Sequence, residues 1–545
     1  MLKLFLSATK IALAFCLLAF TGQLVLAATP TGTFTQAGQG LCPTVPAGID
    51  TAFIYLLTDG TVVVHDQSGT NQNWYRLTPD NTGSYACGTW TALASIPNSF
   101  SYGPRFYAAA VLPDARFAIA GGEYNLGSGT ASWTNLGAIY LPKTDQWLPI
   151  RPPAGWASIG DGQGAVLPNG QWMIADALSK KQAFFNVNNL TFTPTGKLFA
   201  AGTNDEAAWT LLPDGSFFTV DNNIVAPGGT QNGERWINGT WYKAATIGTQ
   251  QLFDGQQEMG PQVLLPDGTV LAIGGTGNVS IYTPPPVASP PSTASGSWAN
   301  TTKLPATCGT ANNAQCGANN AAGVLLPSGN VLLFASVAGD GTKPNEFRPG
   351  AHFFEFDRTV GPPVWNQVTE PGPLATQLAG DPSYVGSLMM LPNGQALFTD
   401  GINNGSTHNQ VWLYTPNGTP NAAWKPTLST WPSVINRNQT YNISGILFNG
   451  MSQANFYGDD AQNATNFPIV QVTMNAAPNH VYYGRTHDFS AMGVARTTLP
   501  VSAKFELWKC PQVKNAACVP ETGAATLRVI ANGIASNPVN VTINP

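Results

Sequence analysis

Charge is what this sequence lacks most: 24 Lys and Arg and 29 Asp and Glu are spread over 545 residues, a formal net charge of -5. No basic tract is present to neutralise phosphates, which excludes nucleic acid as a partner. No basic amphipathic helix is present to lie on a membrane surface. Beyond the N-terminal region no apolar run approaches the ~20 residues of a spanning helix. Gly-x-Ser-x-Gly, His-Glu-x-x-His and phosphate-loop motifs are all missing, and pairs such as Gly121-Gly122 do not open a helix. The five histidines, His65, His352, His408, His480 and His487, are scattered with no metal-ligand spacing, so they predict no metal site.

What is present begins with an export signal. Lys3 and Lys10, the apolar run Ile11 to Phe20 and the small residues Leu26-Ala27-Ala28 have the anatomy of a signal peptide. Residues 1–28 are therefore expected to be a leader, and the mature chain a monomer that is secreted, periplasmic or at the cell surface, off the membrane. Cys16 leaves with the leader; Cys42, Cys87, Cys308, Cys316, Cys510 and Cys518 remain. An even count in an exported chain favours disulfides, and pairing of neighbours is the simplest connectivity. With 57 Gly and 43 Pro, the composition is that of many short strands joined by tight turns.

One signature recurs: an apolar run, Leu-Pro-Asp-Gly or a variant, then a second apolar run. Its fourth position falls at Gly60, Ala115, Gly170, Gly215, Gly268, Gly329 and Gly394, at spacings of 45 to 65 residues. Asp-Gly and Asn-Gly supply the positive-φ turn that a hairpin needs. Aromatics such as Trp147, Trp241 and Trp412 mark an outer strand pair in each unit. A four-stranded unit of about 50 residues cannot bury both faces alone, whereas seven stacked around an axis can. Residues 29–431 are thus predicted to form a seven-bladed all-β propeller. The repeat then stops, and the alternating strand patterns of residues 432–545 have the size of an immunoglobulin-like sandwich. The stretch from Pro284 to Ser297 reads as a loop on blade five.

These residues carry a resemblance. The hairpin repeats followed by Ala120-Gly121-Gly122 or Ile273-Gly274-Gly275 resemble kelch repeats. The segments Tyr457 to Gln462, Arg485 to Asp488 and Met492 to Val494 look like the early-set domain of galactose-oxidase-like secreted proteins. The family includes copper-radical oxidases of alcohols and aldehydes, which use a cysteine-linked tyrosine, a second tyrosine and two histidines. At the matching positions this chain has Thr51 for the cysteine, Phe106 next to Tyr107, Tyr124 for a stacking tryptophan, and Tyr384 followed by Val385 instead of histidine. No histidine lies between Asp459 and Gln462. Copper is therefore not expected.

The same counting, nine and ten residues before each turn, gives the expected rim of the axial funnel: Asp50, Thr51, Arg105, Phe106, Gly160, Asp161, Asp205, Glu206, Glu258, Met259, Asn319, Asn320, Tyr384 and Val385. Asp50, Arg105, Asp161, Asp205, Glu206, Glu258, Asn320 and Tyr384 are the candidate ligand-binding residues. Converging carboxylates can hold a hard cation such as calcium, bond sugar hydroxyls or act as an acid/base pair. The expected partner is a carbohydrate or a small polar ligand. The alternative is an extracellular enzyme, either a copper-radical oxidase with atypical ligands or a carboxylate-dependent hydrolase or lyase acting on carbohydrate.

Overall fold

Each recurring tetrapeptide folds as the turn of a hairpin. In the first, the Leu57 N–H donates to the Thr61 carbonyl (2.8 Å) and the Gly60 N–H to the Leu57 carbonyl (3.0 Å). The fourth residue alone takes a positive φ, 76° at Gly60 and 85° at Gly170, which makes the loop a type I turn closed by a left-handed residue. Asp59 accepts the Thr61 N–H at 3.1 Å, and Asp214, Asp267, Asn169 and Asn393 repeat that contact. Ala115 takes the left-handed position at φ 64° without a glycine.

The computed structural model describes residues 31–198, 202–221, 232–248, 250–253, 258–308, 314–339, 346–402, 408–457, 463–495, 499–512, 514 and 516–545. The expected leader and the Asp459 to Gln462 loop lie outside them. The hairpins build seven blades of four antiparallel strands, the innermost starting at Thr51, Ala108, Gly164, Thr210, Met259, Ala322 and Ser387. Six blades take their four strands in chain order. The seventh takes three, ending at Trp412–Thr415, and borrows Thr33–Gln36 as its outer strand. Outer-strand indoles tie blade to blade: Trp147 Nε1 donates to the Ala94 carbonyl, Trp298 to Ala245 and Trp365 to Thr302, each at 2.8–3.0 Å. Of the Pro284 to Ser297 stretch, residues up to Gly296 form a loop between the outer strands of blade five, held by Arg235 on blade four, and Ser297 begins the outermost strand.

Eight further strands between Thr427 and Asn544 hydrogen-bond in one run, with Ile534–Ala535 paired to its side, and fold into the C-terminal sandwich. It rests on the hairpin turns of blades one to three. The Thr486 N–H donates to Thr58, Asp488 to Pro113 and Met492 to Pro168. A loop of the sandwich enters the axis, where inner strands would otherwise leave backbone groups unpaired. There Asn463 Nδ2 donates to the Ile54 and Leu388 carbonyls, Asn455 accepts the Met390 N–H, and Asn455–Tyr457 pairs with Ala322–Val324. The three disulfides join Cys42–Cys87, Cys308–Cys316 and Cys510–Cys518. Among the described residues no helix is long and apolar enough to cross a membrane.

Two predictions follow from these contacts. At Gly60 an added Cβ would meet the Tyr483 ring at 2.7 Å, on a backbone that already disfavours side chains. Gly60→Ala should lower the melting temperature clearly, while Ala115→Gly should not lower it. His65 is fully buried between Trp74, stacked at 4.2 Å, the Asn71 carbonyl and the Tyr107 hydroxyl. Burial pushes its pKa down from 6.5 to about 4. The folded chain thus binds fewer protons than the unfolded one in that window, so this contribution is complete above 6.5 and is lost as pH falls through about 4. The urea stability of His65→Gln should lose up to roughly 3 kcal/mol less than wild type between neutral pH and pH about 4.

Candidate functional site

Because the hairpin turns face the sandwich, the beginnings of the seven inner strands meet at the opposite end of the axis. Asp50, Asp161, Glu258 and Asn320 each lie within three residues of an inner-strand start and are at most 8% exposed. The plug leaves a void of about 30 Å³ lined by residues that include Tyr55, Ala109 and Asn463, and the far end of the axis, where these rim residues gather, is termed the cup.

Arg105 is central to one side of this cup. It lies in the two-residue ribbon Pro104–Arg105, paired with Tyr124–Asn125, and its guanidinium sits 5.6 Å from the Tyr124 ring centre. Burial lowers its pKa, and Tyr124, Tyr384, Asp50 and Glu123 oppose that. Arg105 of blade two therefore faces groups from blades one and seven. Tyr384 is held in the short turn Ser383–Val385 with its ring 4.8 Å from Phe347. Asp50 offers its N–H to Asp66 Oδ1 at 3.0 Å. Burial, then the Asp66 charge, pushes the Asp50 carboxyl from 3.8 up to about 6, with His408 and Arg105 acting against it.

On the other side, Asp161 of blade three meets Asp205 and Glu206 of blade four, with a carboxylate oxygen from each within 4.8 Å of the others. Asp161 is buried and the other two are half-buried. Tyr124 feels the Asp161 charge and so links the two sides. Glu258 and Asn320 lie farther round the ring. They sit at the seam of blades five and six, where the Asn320 N–H donates to the Met259 carbonyl at 3.2 Å.

Folding also assembles a group that the linear sequence does not display. His408 Nδ1 lies 3.1 Å from Asp400 Oδ2 and 3.9 Å from Asp381 Oδ2, at the seam of blades seven and one. The linear scatter of the histidines does not display this group, which only folding brings together. The hydrogen bond to Asp400 raises the His408 pKa; burial opposes it, and the charges of Asp400, Asp381 and Asp50 reinforce it. A repeat signal was available. An aspartate stands six residues after the hairpin glycine in four blades: 66 from 60, 176 from 170, 221 from 215 and 400 from 394. Asp66 and Asp176 cap local backbone and serine groups, whereas Asp400 faces an imidazole.

The residues at the copper-radical positions do not fit that centre. The Thr51 hydroxyl donates to the His408 carbonyl at 3.1 Å, and Val385 is a buried aliphatic. The Tyr107 hydroxyl is engaged with His65 Nδ1 at 2.8 Å in the core of blades one and two.

No protein-family model and no curated protein matches the chain. Among solved structures it is similar to a fungal alcohol oxidase of the AA5 family in complex with copper, at 12% identity and a TM-score of 0.48, covering 94% of this chain and 99% of that one. It is also similar to a catalytically inactive virginiamycin B lyase from Staphylococcus aureus with quinupristin, at 11% identity and a TM-score of 0.44, covering 70% of this chain and 99% of that one. A streptogramin B lyase structure matches at 10% identity and a TM-score of 0.43, covering 71% and 98%. Likenesses this distant say nothing of activity.

Asp50 generates a prediction with a definite sign. With its folded pKa above the unfolded one, the folded chain holds an extra proton between 3.8 and about 6 and loses stability as pH rises through that window. Asp50→Asn should therefore raise the melting temperature of chelator-treated protein well above pH 6 and leave it unchanged below 3.8. An equal effect at both pH values would contradict the assignment.

Proposed function

We propose that this chain is an exported, galactose-oxidase-like propeller that works without a copper-radical site and binds a carbohydrate or similar polar ligand in its axial cup. The supporting observation is the gathering at one end of the axis of a cation, carboxylates and aromatic faces from blades one, two, three, four and seven, in a chain only 10% charged. Arg105 donates to ligand oxygens. Asp161, Asp205, Glu206 and Asp50 receive hydroxyl protons, and Tyr124 and Tyr384 offer ring faces to the apolar side of a sugar. Sugars suit such a site because they present hydroxyls in several directions and an apolar face in another. The chain acts as a monomer, with neither nucleic acid nor membrane as a partner.

The test is a glycan array probed with the mature chain, wild type beside Arg105→Ala and Asp161→Asn. Wild type should bind a restricted set of glycans, and both variants should lose that binding at least tenfold with unchanged melting temperature. Binding that survives both substitutions, or no glycan binding by wild type, would overturn the reading.

A further inference from the structure

The group at the seam of blades seven and one has a donor set different from the rest of the cup. Asp161, Asp205 and Glu206 offer oxygen only, as hard cations require. Asp381, Asp400 and His408 add an imidazole, and mixed nitrogen and oxygen donors favour zinc-type or manganese-type ions over calcium. Donors about 2.0–2.2 Å from a tetrahedral ion are about 3.3–3.6 Å apart. The observed 3.1 Å and 3.9 Å separations from His408 Nδ1 bracket that range.

A second observation is independent of that geometry. Asp50 is 6% exposed, and its Oδ1 has neither exposed surface nor a hydrogen bond. Its carboxylate is one of the charges acting on the same imidazole. A buried carboxylate oxygen left without a donor costs free energy, and a cation beside His408 would remove that cost. Asp50, Asp381 and Asp400 set three carboxylates against one imidazole, an imbalance that a dication offsets. Arg105 acts on Asp50 from blade two.

The frame is already built. Asp400 ends the inner hairpin of blade seven and accepts from Gln377 Nε2, the kind of outer contact that orients metal ligands. The Gly401 N–H donates to the Thr51 carbonyl at 2.9 Å, and the Thr51 hydroxyl donates to the His408 carbonyl. Asp381 and Asp400 side chains are 3% and 0% exposed, and that of His408 is 19% exposed. We propose that Asp381, Asp400 and His408 bind a divalent transition-metal ion of the zinc or manganese type, with the Asp50 charge acting on the same imidazole.

The test uses the tag-free mature chain, stripped with chelator and dialysed separately against zinc, manganese(II) and calcium. Metal per chain is measured by mass spectrometry, and affinity by calorimetry. One zinc or manganese ion per chain is expected, bound at least 100-fold more weakly after His408→Ala or Asp381→Asn and unchanged after Glu206→Gln. If either seam variant folds poorly, the other carries the test, with cobalt(II) absorption bands reporting loss of the imidazole ligand. No uptake of zinc or manganese would overturn the proposal, as would uptake that survives both seam substitutions or is lost with Glu206→Gln. None of these outcomes depends on whether the cup binds sugars.

Discussion

The molecule depends on the closure of its ring. A seven-bladed ring built strictly in chain order would leave two blades facing each other with no covalent reason to stay together. Here Thr33–Gln36 crosses that gap and pairs with Trp412–Thr415. Phe34 packs against Phe353 and Tyr414 at 4.6 and 4.9 Å, and Tyr414 is itself bonded to the Gly32 N–H and to Glu355. With the ring closed, the Thr399 hydroxyl reaches the Ala52 carbonyl at 2.6 Å across the seam. Thr51 and His408, 357 positions apart, come within a hydrogen bond. The seam chemistry, Asp50 facing His408 and Arg105, exists only because the ring is shut.

The two ends of the propeller are built differently. The hairpin end is occupied by the sandwich, whose loop enters the axis and satisfies inner-strand backbone through Gln453, Asn455 and Asn463. Rigid tight turns suit that end, and glycine at the left-handed position lets Tyr483 approach Gly60 closely. The opposite end is formed where each chain enters its inner strand. Backbone there is less regular, with left-handed residues at Phe106, Glu206 and Asn320, and it carries the polar side chains. A side chain that must face a ligand tolerates such backbone better than one that must pack.

How much of this could be read from sequence follows from the same physics. The blades were legible because a left-handed turn selects glycine and inner strands must be apolar on both faces, so seven turns imply seven blades. Counting back from those turns reaches the ends of inner strands, which is why Asp50, Asp161, Glu258 and Asn320 were nameable as rim residues. Which of them meet depends on blade rotation and on loop paths, which no spacing encodes. Asp161 meets Asp205 and Glu206 across one seam, whereas Glu258 and Asn320 sit at another. The His408 group is not legible in sequence because Asp381 and Asp400 precede it by 27 and 8 residues, and neither interval is a ligand spacing on a helix or strand. The aspartate six residues beyond the hairpin glycine in four blades was the signal that pointed to Asp400.

The central claim is that ligands are received at the rim facing away from the sandwich, around the seam that ring closure creates. Anomalous diffraction at the zinc edge, from crystals of the chelator-stripped chain soaked in zinc, measures this directly. The account predicts a single dominant peak about 2.0–2.2 Å from His408 Nδ1 and the carboxylates of Asp381 and Asp400. A dominant peak on the hairpin face, in the sandwich or only at Asp161, Asp205 and Glu206 would contradict it.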